Sequence, residues 1–255
     1  MTGPALAVEG LTVRYGSLTA LDDVSWTVDD GEIVGVIGPN GAGKSSSFAA
    51  ITNVVAHDGE CRLYGESTSG ASTQALARRG LRRTFQQNAF FTGLTVLENA
   101  MASMQVERAT RLLPSIVAPW REGAARAEIR RAAAALLSEF GIDARYHGLL
   151  PDDLPYGLQR VLSIVLAHGG SARVLLVDEP AAGVGGEDMR NLADLLVELR
   201  GRGLAIVLIE HHMDLVMEIV DRLVVVDRGE QIAHGPPAQV QRQPAVLEAY
   251  LGRTA

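Results

Sequence analysis

The 255-residue sequence has almost no cysteine and no long apolar run. Its one cysteine, Cys61, excludes an internal disulfide and fits a reducing compartment. No stretch approaches about 18 consecutive apolar residues, the length expected of a membrane-spanning helix. The first residues, MTGPALAVEG, lack the basic start and long apolar stretch of a secretory signal peptide. These features predict a chain that works in the cytoplasm.

A surplus of basic residues is also absent. Acidic residues outnumber basic ones by 30 to 23, which gives a formal net charge of −7 and a pI near 5.4. Nucleic-acid-binding proteins usually carry a basic surface, so we expect no nucleic-acid partner. Charge alone will not attach such a chain to an anionic membrane surface. If the protein acts at a membrane, another protein must hold it there. The length predicts one domain, or one domain with a subdomain.

The most informative stretch is GPNGAGKSS, which consists of Gly38, Pro39, Asn40, Gly41, Ala42, Gly43, Lys44, Ser45 and Ser46. It lies between a predicted buried strand at 33–37 and a predicted helix at 47–53, the context in which G-x-x-x-x-G-K-[ST] forms a phosphate-binding loop. Glycines let the backbone N–H groups point inward, and the helix N-terminus favours an anion. We expect Lys44 to reach the β- and γ-phosphates of a nucleoside triphosphate and Ser45 to coordinate Mg²⁺. A glycine-rich turn without function is the alternative.

A second informative stretch is RVLLVDEP, residues 173–180, an apolar run that ends in two acids. Such a run predicts a parallel strand whose last residues lie at the ligand-binding edge of a sheet. Asp178 would then hold Mg²⁺, directly or through water, and Glu179 would polarise the water that attacks the γ-phosphate. The alternative is an acidic strand end that faces solvent. An acid pair beside a phosphate loop favours hydrolysis over binding alone.

Two further candidates are weaker when each is taken alone. His211 follows the predicted buried strand 204–209, so it could hydrogen-bond the γ-phosphate and respond to its loss. His212 competes with it, and spacing does not separate the two. Tyr15, at the end of the first predicted strand, is either a packed strand aromatic or a ring that stacks on adenine.

Predicted strands and helices alternate along the chain, which indicates an α/β fold with a mixed, mainly parallel sheet. Residues 5–15 alternate apolar and polar side chains, as an edge strand does. Strands are also predicted at 24–28 and 32–37, with Asp29-Asp30-Gly31 as the hairpin turn between them. Residues 94–145 are rich in Ala, Leu, Glu and Arg, which predicts helices. One apolar helical face in this segment consists of Ile129, Ala133, Leu136 and Leu137.

Taken together, the phosphate loop, the acid pair and the histidine resemble the ATP-binding-cassette ATPases, over nearly the whole chain. The resemblance implies ATP and Mg²⁺ as ligands. The adenine-stacking aromatic of that family corresponds to Tyr15, its glutamine loop to Gln86 in TFQQ, and its switch histidine to His211. Catalytic roles are therefore implied for Glu179, His211 and Gln86. The implied metal ligands are Ser45, Gln86 and Asp178.

The family fold that this resemblance implies is an ABC-type P-loop ATPase domain. Its mixed, mainly parallel sheet is accompanied by an antiparallel β subdomain and an inserted α-helical subdomain. In this chain, 1–87 and 161–255 would form the catalytic core. Residues from about 88 to 160 would form the helical subdomain, including the signature region, and would contact the membrane partner.

The chain departs from the family in its signature motif, usually Leu-Ser-Gly-Gly-Gln. Here the segment that acts in trans on the opposite subunit is Leu154, Pro155, Tyr156 and Gly157. Pro155 offers neither the hydroxyl nor the N–H of the usual serine, whereas Gly157 still permits close backbone approach. We therefore hypothesise that the composite site built with this chain's signature is slow. The site on its own phosphate loop should hydrolyse.

Other segments resemble one subfamily more closely. Four segments, 156–160, 178–183, 209–213 and 249–252, are similar to the importer ATPases for branched-chain amino acids. The resemblance implies the ATP-hydrolysing subunit of a bacterial importer, on the cytoplasmic face of the plasma membrane. Its partners would be two integral-membrane permeases, a second ATPase subunit and, indirectly, an external solute-binding protein. A heterodimer of ATPases is favoured, and a homodimer stays open.

Several other functions keep the same nucleotide motifs. One is a cassette ATPase that regulates or acts on nucleic acid without transport, against which the acidic composition and the lack of a second cassette count. Others are the ATPase of an exporter and that of an importer for urea or other amides. A last alternative is a module that binds nucleotide without hydrolysing it. The presence of Lys44, Asp178, Glu179 and His211 argues against it.

Overall fold

The computed structural model of the chain describes residues 3–84, 90–105, 119–169 and 171–251. Within them, the strands are β1 Leu6–Tyr15, β2 Leu18–Val28, β3 Ile33–Ile37, β4 Asp58–Leu63, β5 Glu66–Ser67, β6 Leu81–Arg83, β7 Val174–Asp178, β8 Ala205–Ile209, β9 Arg222–Asp227 and β10 Glu230–Gly235. The helices are α1 Lys44–Ile51, α2 Thr73–Arg78, α3 Val96–Gln105, α4 Pro119–Glu139, α5 Tyr156–His168, α6 Gly186–Gly201, α7 Met213–Ile219, α8 Pro237–Val240 and α9 Pro244–Leu251. Short 3₁₀ turns lie at Ala144–Tyr146 and Pro151–Asp153.

The central element is a six-stranded sheet in the order β10-β9-β3-β8-β7-β6. All neighbouring pairs are parallel except β9 with β10, as the prediction of a mixed, mainly parallel sheet requires. Every residue of β3, β7 and β8 is buried, because both faces of the sheet are covered. Since β3, β8 and β7 are parallel neighbours, their carboxyl ends meet at one edge.

Successive side chains of these strands pack alternately into two different hydrophobic cores. Ile33 of β3 and Leu208 of β8 face the larger cluster, whereas Val34 and Val207 face a second cluster shared with α1 and the other sheet. This division follows from the two-residue period of a strand. The six-stranded sheet is therefore the middle layer of the molecule.

The second sheet is antiparallel and has the order β2-β1-β4-β5. The prediction of an edge strand at 5–15 is wrong, because Leu6 pairs with Val28 on one side and with Leu63 on the other. The alternating pattern reports which side chains face the core. It carries no information on how many neighbours a strand has, since the second neighbour, β4, lies far along the chain.

The predicted hairpin at Asp29-Asp30-Gly31 is also wrong. The strand before it, β2, belongs to the antiparallel sheet, and the strand after it, β3, belongs to the parallel sheet. At this crossing the Gly31 N–H donates to Gly203 O at 3.1 Å, and the Ile33 N–H donates to an Asp221 carboxylate oxygen at 2.9 Å. The turn itself forms, since the Glu32 N–H donates to Asp29 O at 3.3 Å, but partners distant in sequence take the next strand into the other sheet. The hairpin of the antiparallel sheet instead closes where Tyr15 pairs with Leu18.

The predicted helical segment is confirmed in the part that the structure describes. Its expected apolar face is half-buried at Ile129 and buried at Ala133, Leu136 and Leu137. Val96 of α3, Leu137 of α4 and Leu162 of α5 belong to the same buried cluster as the six-stranded sheet. The helices therefore share one core with the sheet.

A shared core predicts that damage among the helices destabilises the whole chain. Leu137→Ala removes a fully buried side chain and should lower the free energy of unfolding by about 3 kcal/mol. Unfolding in urea, followed by circular dichroism, should remain a single transition. Leu18→Ala, at a side chain 65% exposed, is the control and should change stability by less than about 0.5 kcal/mol. A separate early transition in the Leu137 variant would show that the helices form a core of their own.

Candidate active site

The predicted phosphate loop is a tight turn between β3 and α1. Gly38 has a φ of 152° and Gly43 a φ of 106°, a backbone region that side chains rarely adopt. A Cβ on Gly38 would lie 1.9 Å from Val226 O, and one on Gly43 would lie 2.2 Å from Ala20 O. The loop is thus packed against two other strands, β9 and β2. The strand, loop and helix context expected from the sequence is present.

Within the loop, Lys44 is buried and folded over the backbone. Its Nζ donates to Gly38 O at 2.8 Å and to Pro39 O at 2.9 Å. Burial lowers the pKa of Lys44, while the nearby carboxylates of Glu179 and Asp178 act in the opposite direction. The ammonium group therefore lies within electrostatic reach of both acids of the predicted pair.

The other loop residues differ in exposure. Asn40, Gly41 and Ser45 are exposed, Pro39 and Ser46 are half-buried, and Ala42 is buried. The outer side of the loop borders a cavity of about 430 Å³ whose far wall includes Glu248 of α9. Ser45 lies in the first turn of α1 with its side chain open to solvent.

Asp178 ends β7 and faces inward. Its carboxylate Oδ2 accepts from Arg83 Nη2 at 2.8 Å, and its backbone N–H donates to Thr84 Oγ1 at 3.0 Å. The side chain is only 5% exposed. The alternative of an acid facing solvent is therefore wrong for Asp178. Arg83, on the neighbouring strand β6, supplies a cation that a buried carboxylate needs.

Glu179 has a left-handed backbone with a φ of 45°, which is strained for a residue with a side chain. Its N–H donates to Ile209 O, at the end of β8, at 2.9 Å. This is the last bond of the β7–β8 ladder, and the positive φ of Glu179 then turns the chain out of the line of β7. Strain of this kind persists where surrounding contacts enforce it, and it concentrates at active sites.

The two histidines follow β8 at the same edge of the sheet. The His211 side chain is 50% exposed, and His212 is half-buried. Their ring centroids are 4.5 Å apart. Because β8 lies between β3 and β7, His211 is between the phosphate loop and the acid pair. The fold brings together these three groups, which are far apart in sequence.

The signature segment forms the start of α5. Leu154 is buried, Pro155 precedes the first helical residue, and the Tyr156 hydroxyl donates to Ala182 O at 2.9 Å. A Cβ on Gly157 would lie 2.3 Å from the Asp188 carboxyl carbon. The segment thus contacts the turn after Glu179 and the first turn of α6.

Arg160 strengthens the contact between this segment and the turn. Its guanidinium is buried, bonds to the Tyr156 hydroxyl, and lies over the Tyr156 ring at 4.9 Å from the centroid. It also donates to Ala182 O at 3.3 Å. A change in the position of the signature segment would therefore act on Ala182, three residues after Glu179.

Tyr15 and Gln86 are the other two residues that the sequence predicts to contact the ligands. Tyr15 is 46% exposed at the β1–β2 hairpin, on the same strand pair whose Ala20 touches the phosphate loop. Its ring is accessible to a ligand, as stacking on adenine would require. Gln86 lies outside the described residues.

The residues that sequence reasoning missed are Arg83, the ion-pair partner of Asp178, and Glu210, a buried acid directly before His211. Glu210 could have been found, because an acid that directly follows a buried strand had already marked Asp178. Arg83 carried no such signal, because its partner is 95 residues away.

The contact of the loop with β2 predicts a difference between two glycine variants. Gly41 and Gly43 both have positive φ, so alanine adds backbone strain of about 1–3 kcal/mol at either position. At Gly43 the new Cβ would also clash with Ala20 O, whereas at Gly41 nothing lies within 4 Å. In thermal denaturation we expect Gly43→Ala to melt about 10 °C below the parent chain and Gly41→Ala about 4 °C below it. Equal melting temperatures would contradict the close approach.

Comparison with known proteins agrees with this geometry. Residues 21–182 match the family model described as ABC transporter, and 230–255 match that of the branched-chain amino acid ATP-binding cassette transporter. The chain is 37% identical over 254 residues, 99% of each chain, to the high-affinity branched-chain amino acid transport ATP-binding protein LivG of Salmonella typhimurium.

Two solved structures share the fold. One is a nucleotide-free ATP-binding cassette from an ABC transporter, with a TM-score of 0.85, 26% identity, and coverage of 98% of this chain and 100% of that one. The other is an ATP-binding cassette of an ABC transporter in its ADP conformation, with a TM-score of 0.83 and the same identity and coverage. The chain therefore belongs to the ATP-binding-cassette family of ABC transporters and is an ATPase.

Proposed function

We propose that this chain powers the import of branched-chain amino acids by binding and hydrolysing ATP. The observation that carries the proposal is the similarity to LivG along the whole chain, including a C-terminal segment, 230–255, that matches a branched-chain amino acid family model. That segment lies outside the cassette match at 21–182, so it is an independent sign of the subfamily.

The catalytic roles proposed for the site follow from its geometry. Lys44 would leave the loop carbonyls to contact the β- and γ-phosphates. Glu179 would accept a proton from the attacking water, and His211 would donate a hydrogen bond to the γ-phosphate. Tyr15 would stack on the adenine. Lys44, Glu179 and His211 follow three neighbouring strands at one edge of the six-stranded sheet, which supports a single reaction centre there.

Ser45 and Asp178 are the described residues that would hold Mg²⁺, with Gln86 proposed from the family pattern alone. A hydroxyl and a carboxylate at one edge of the sheet suit this cation, which prefers oxygen ligands. When bound, it would neutralise charge on the phosphates. Arg83 would hold the Asp178 carboxylate in its orientation through the ion pair.

We also propose that two cassettes pair face to face, with Leu154 to Gly157 reaching the nucleotide of the opposite subunit. The contacts of Tyr156 and Arg160 with Ala182 would link that segment to the Glu179 turn. Pro155 supplies no hydroxyl, so the site completed by this chain's signature would be the slow one.

Permeases would dock on the helical part, from about 88 to 160, while 1–87 and 161–255 would form the catalytic core. Phe91, Leu149 and Leu150 are exposed apolar side chains on two segments that meet at the start of α3, where the Val96 N–H donates to Leu149 O at 2.9 Å. Exposed apolar groups brought together in this way support a protein interface. Among the described residues, none of the helices combines the length and the apolar composition of a membrane span. We propose that the permeases hold the chain at the membrane.

The test of this function begins with affinity purification of the chain from gently solubilised native membranes. We expect two multi-span permeases and a second ATPase to accompany it. In proteoliposomes, the recovered complex with an external binding protein should take up leucine, isoleucine or valine only with ATP. Recovery of the chain alone or with nucleic acid would contradict the proposal, and so would uptake restricted to urea or amides.

Glu179→Gln should lower ATP hydrolysis by at least about 100-fold and change ATP affinity by less than about twofold, because it removes only the proton acceptor. Glu218→Gln, at an exposed acid of α7, is the matched control and should leave both unchanged. In the assembled pair, the equivalent change in the partner should cost much less than Glu179→Gln. Equal losses would exclude the asymmetry attributed to Pro155.

Phe91→Glu combined with Leu150→Glu should abolish co-purification of the permeases, because two charges would be buried at the interface. ATP binding by the chain should not change. Leu247→Glu introduces the same charge at an equally exposed leucine of α9 and should leave co-purification intact. Permeases that still bind the double variant would place the interface elsewhere.

A further inference from the structure

We propose that Glu210 is a positioning residue for hydrolysis, which holds the Glu179 turn and His211 in one arrangement. The inference rests on the proposed roles of Glu179 and His211. Its direct support is the set of contacts that the Glu210 carboxylate makes at the end of β8.

Glu210 is almost completely buried, with 1% of the residue exposed. One carboxylate oxygen, Oε1, accepts from the Ala181 N–H at 2.9 Å. The other, Oε2, accepts from the His211 N–H at 2.6 Å and from the His212 N–H at 2.9 Å. A buried carboxylate is costly unless it is hydrogen-bonded, and here backbone donors from two loops supply those bonds.

These bonds join the ends of two neighbouring strands. Asp178 of β7 pairs with Ile209 of β8, and the Glu179 N–H donates to Ile209 O. Ala181, two residues further along, is then held by Glu210. The strained backbone of Glu179 is thus fixed from both sides by the end of β8. Without the bond from Ala181 to Glu210, β8 would hold the turn only at the Glu179 N–H, and the strained backbone could relax.

Glu210 also faces the His211 ring. Its Oε2 lies 3.4 Å from His211 Nδ1, which leaves Nε2 as the nitrogen on the far side of the ring. A carboxylate beside one ring nitrogen favours the tautomer that carries its proton there. The same side chain therefore orients both groups that act on the γ-phosphate. A metal-binding role fits less well, because both carboxylate oxygens already accept N–H groups.

The acceptor-only chemistry of a carboxylate suggests the test substitution. Glu210→Gln keeps the shape but replaces one oxygen with an NH₂ group, which cannot accept from an N–H. In the assembled pair, with the partner unchanged, we expect kcat for ATP hydrolysis to fall at least about 10-fold, while KM and ATP affinity change less than about twofold. Glu218→Gln should leave all three unchanged.

Coupling to His211 distinguishes positioning from general damage. The fold-loss of kcat caused by Glu210→Gln should be at least about threefold smaller in a His211→Ala background than in the parent chain. Equal losses in the two backgrounds would overturn the proposal. So would a loss of ATP affinity in step with kcat.

A structural measurement separates this proposal from the proposed function. Nitrogen NMR of the His211 ring should show the Nδ1-protonated tautomer in the parent chain and a loss of that preference in Glu210→Gln. An unchanged tautomer would overturn the orienting role even if transport is confirmed. A changed tautomer in a chain that transports no amino acid would leave that role standing while the function fails.

If Glu210→Gln does not fold, Glu210→Asp tests the positioning role in its place. Aspartate keeps both acceptors but is one carbon shorter, so it cannot span from His211 to Ala181 without movement of the turn. We expect its kcat to fall at least about threefold with ATP affinity retained. Full activity of this variant would overturn the proposal.

Discussion

Parallel hydrogen bonding among β3, β8 and β7 is the interaction on which the candidate active site depends. It brings the carboxyl ends of three strands to one edge, and with them the phosphate loop, His211 and the acid pair. Helices and the antiparallel sheet cover the two faces, so the strands are fully buried and the ligand can approach only at the edge. The position of the candidate active site is therefore a consequence of sheet topology.

The ionisable groups buried near that edge lower the stability of the fold unless they are paired. Lys44, Asp178 and Glu210 are each less than one-tenth exposed, and each is held by specific partners: loop carbonyls, Arg83, and backbone N–H groups. Such groups cost stability unless their bonds are complete. An apolar interior would be easier to fold. The proposed transfer of phosphate and protons would need such oriented charge away from bulk water.

The turn after Glu179 connects two parts of the molecule that act on different nucleotides in the proposed dimer. On one side Glu210 ties it to the His211 loop, and on the other Tyr156 and Arg160 tie it to the signature segment. Contact with the opposite subunit would therefore reach the strained backbone of Glu179 through two hydrogen-bonded steps.

Residue type and spacing were enough to predict a phosphate loop from Gly38 to Ser46, an acid pair after an apolar strand, and a histidine after another. These signals are local, so they can be read without the fold. Which strands are neighbours depends on the folded structure. It moved β1 from the edge to the interior of its sheet and replaced a local hairpin at 29–31 with a crossing between sheets. It also paired Arg83 with Asp178 and gave Glu210 its donors on the adjacent strand end. Such contacts join residues far apart in the chain, and no local pattern encodes a partner that folding alone brings near.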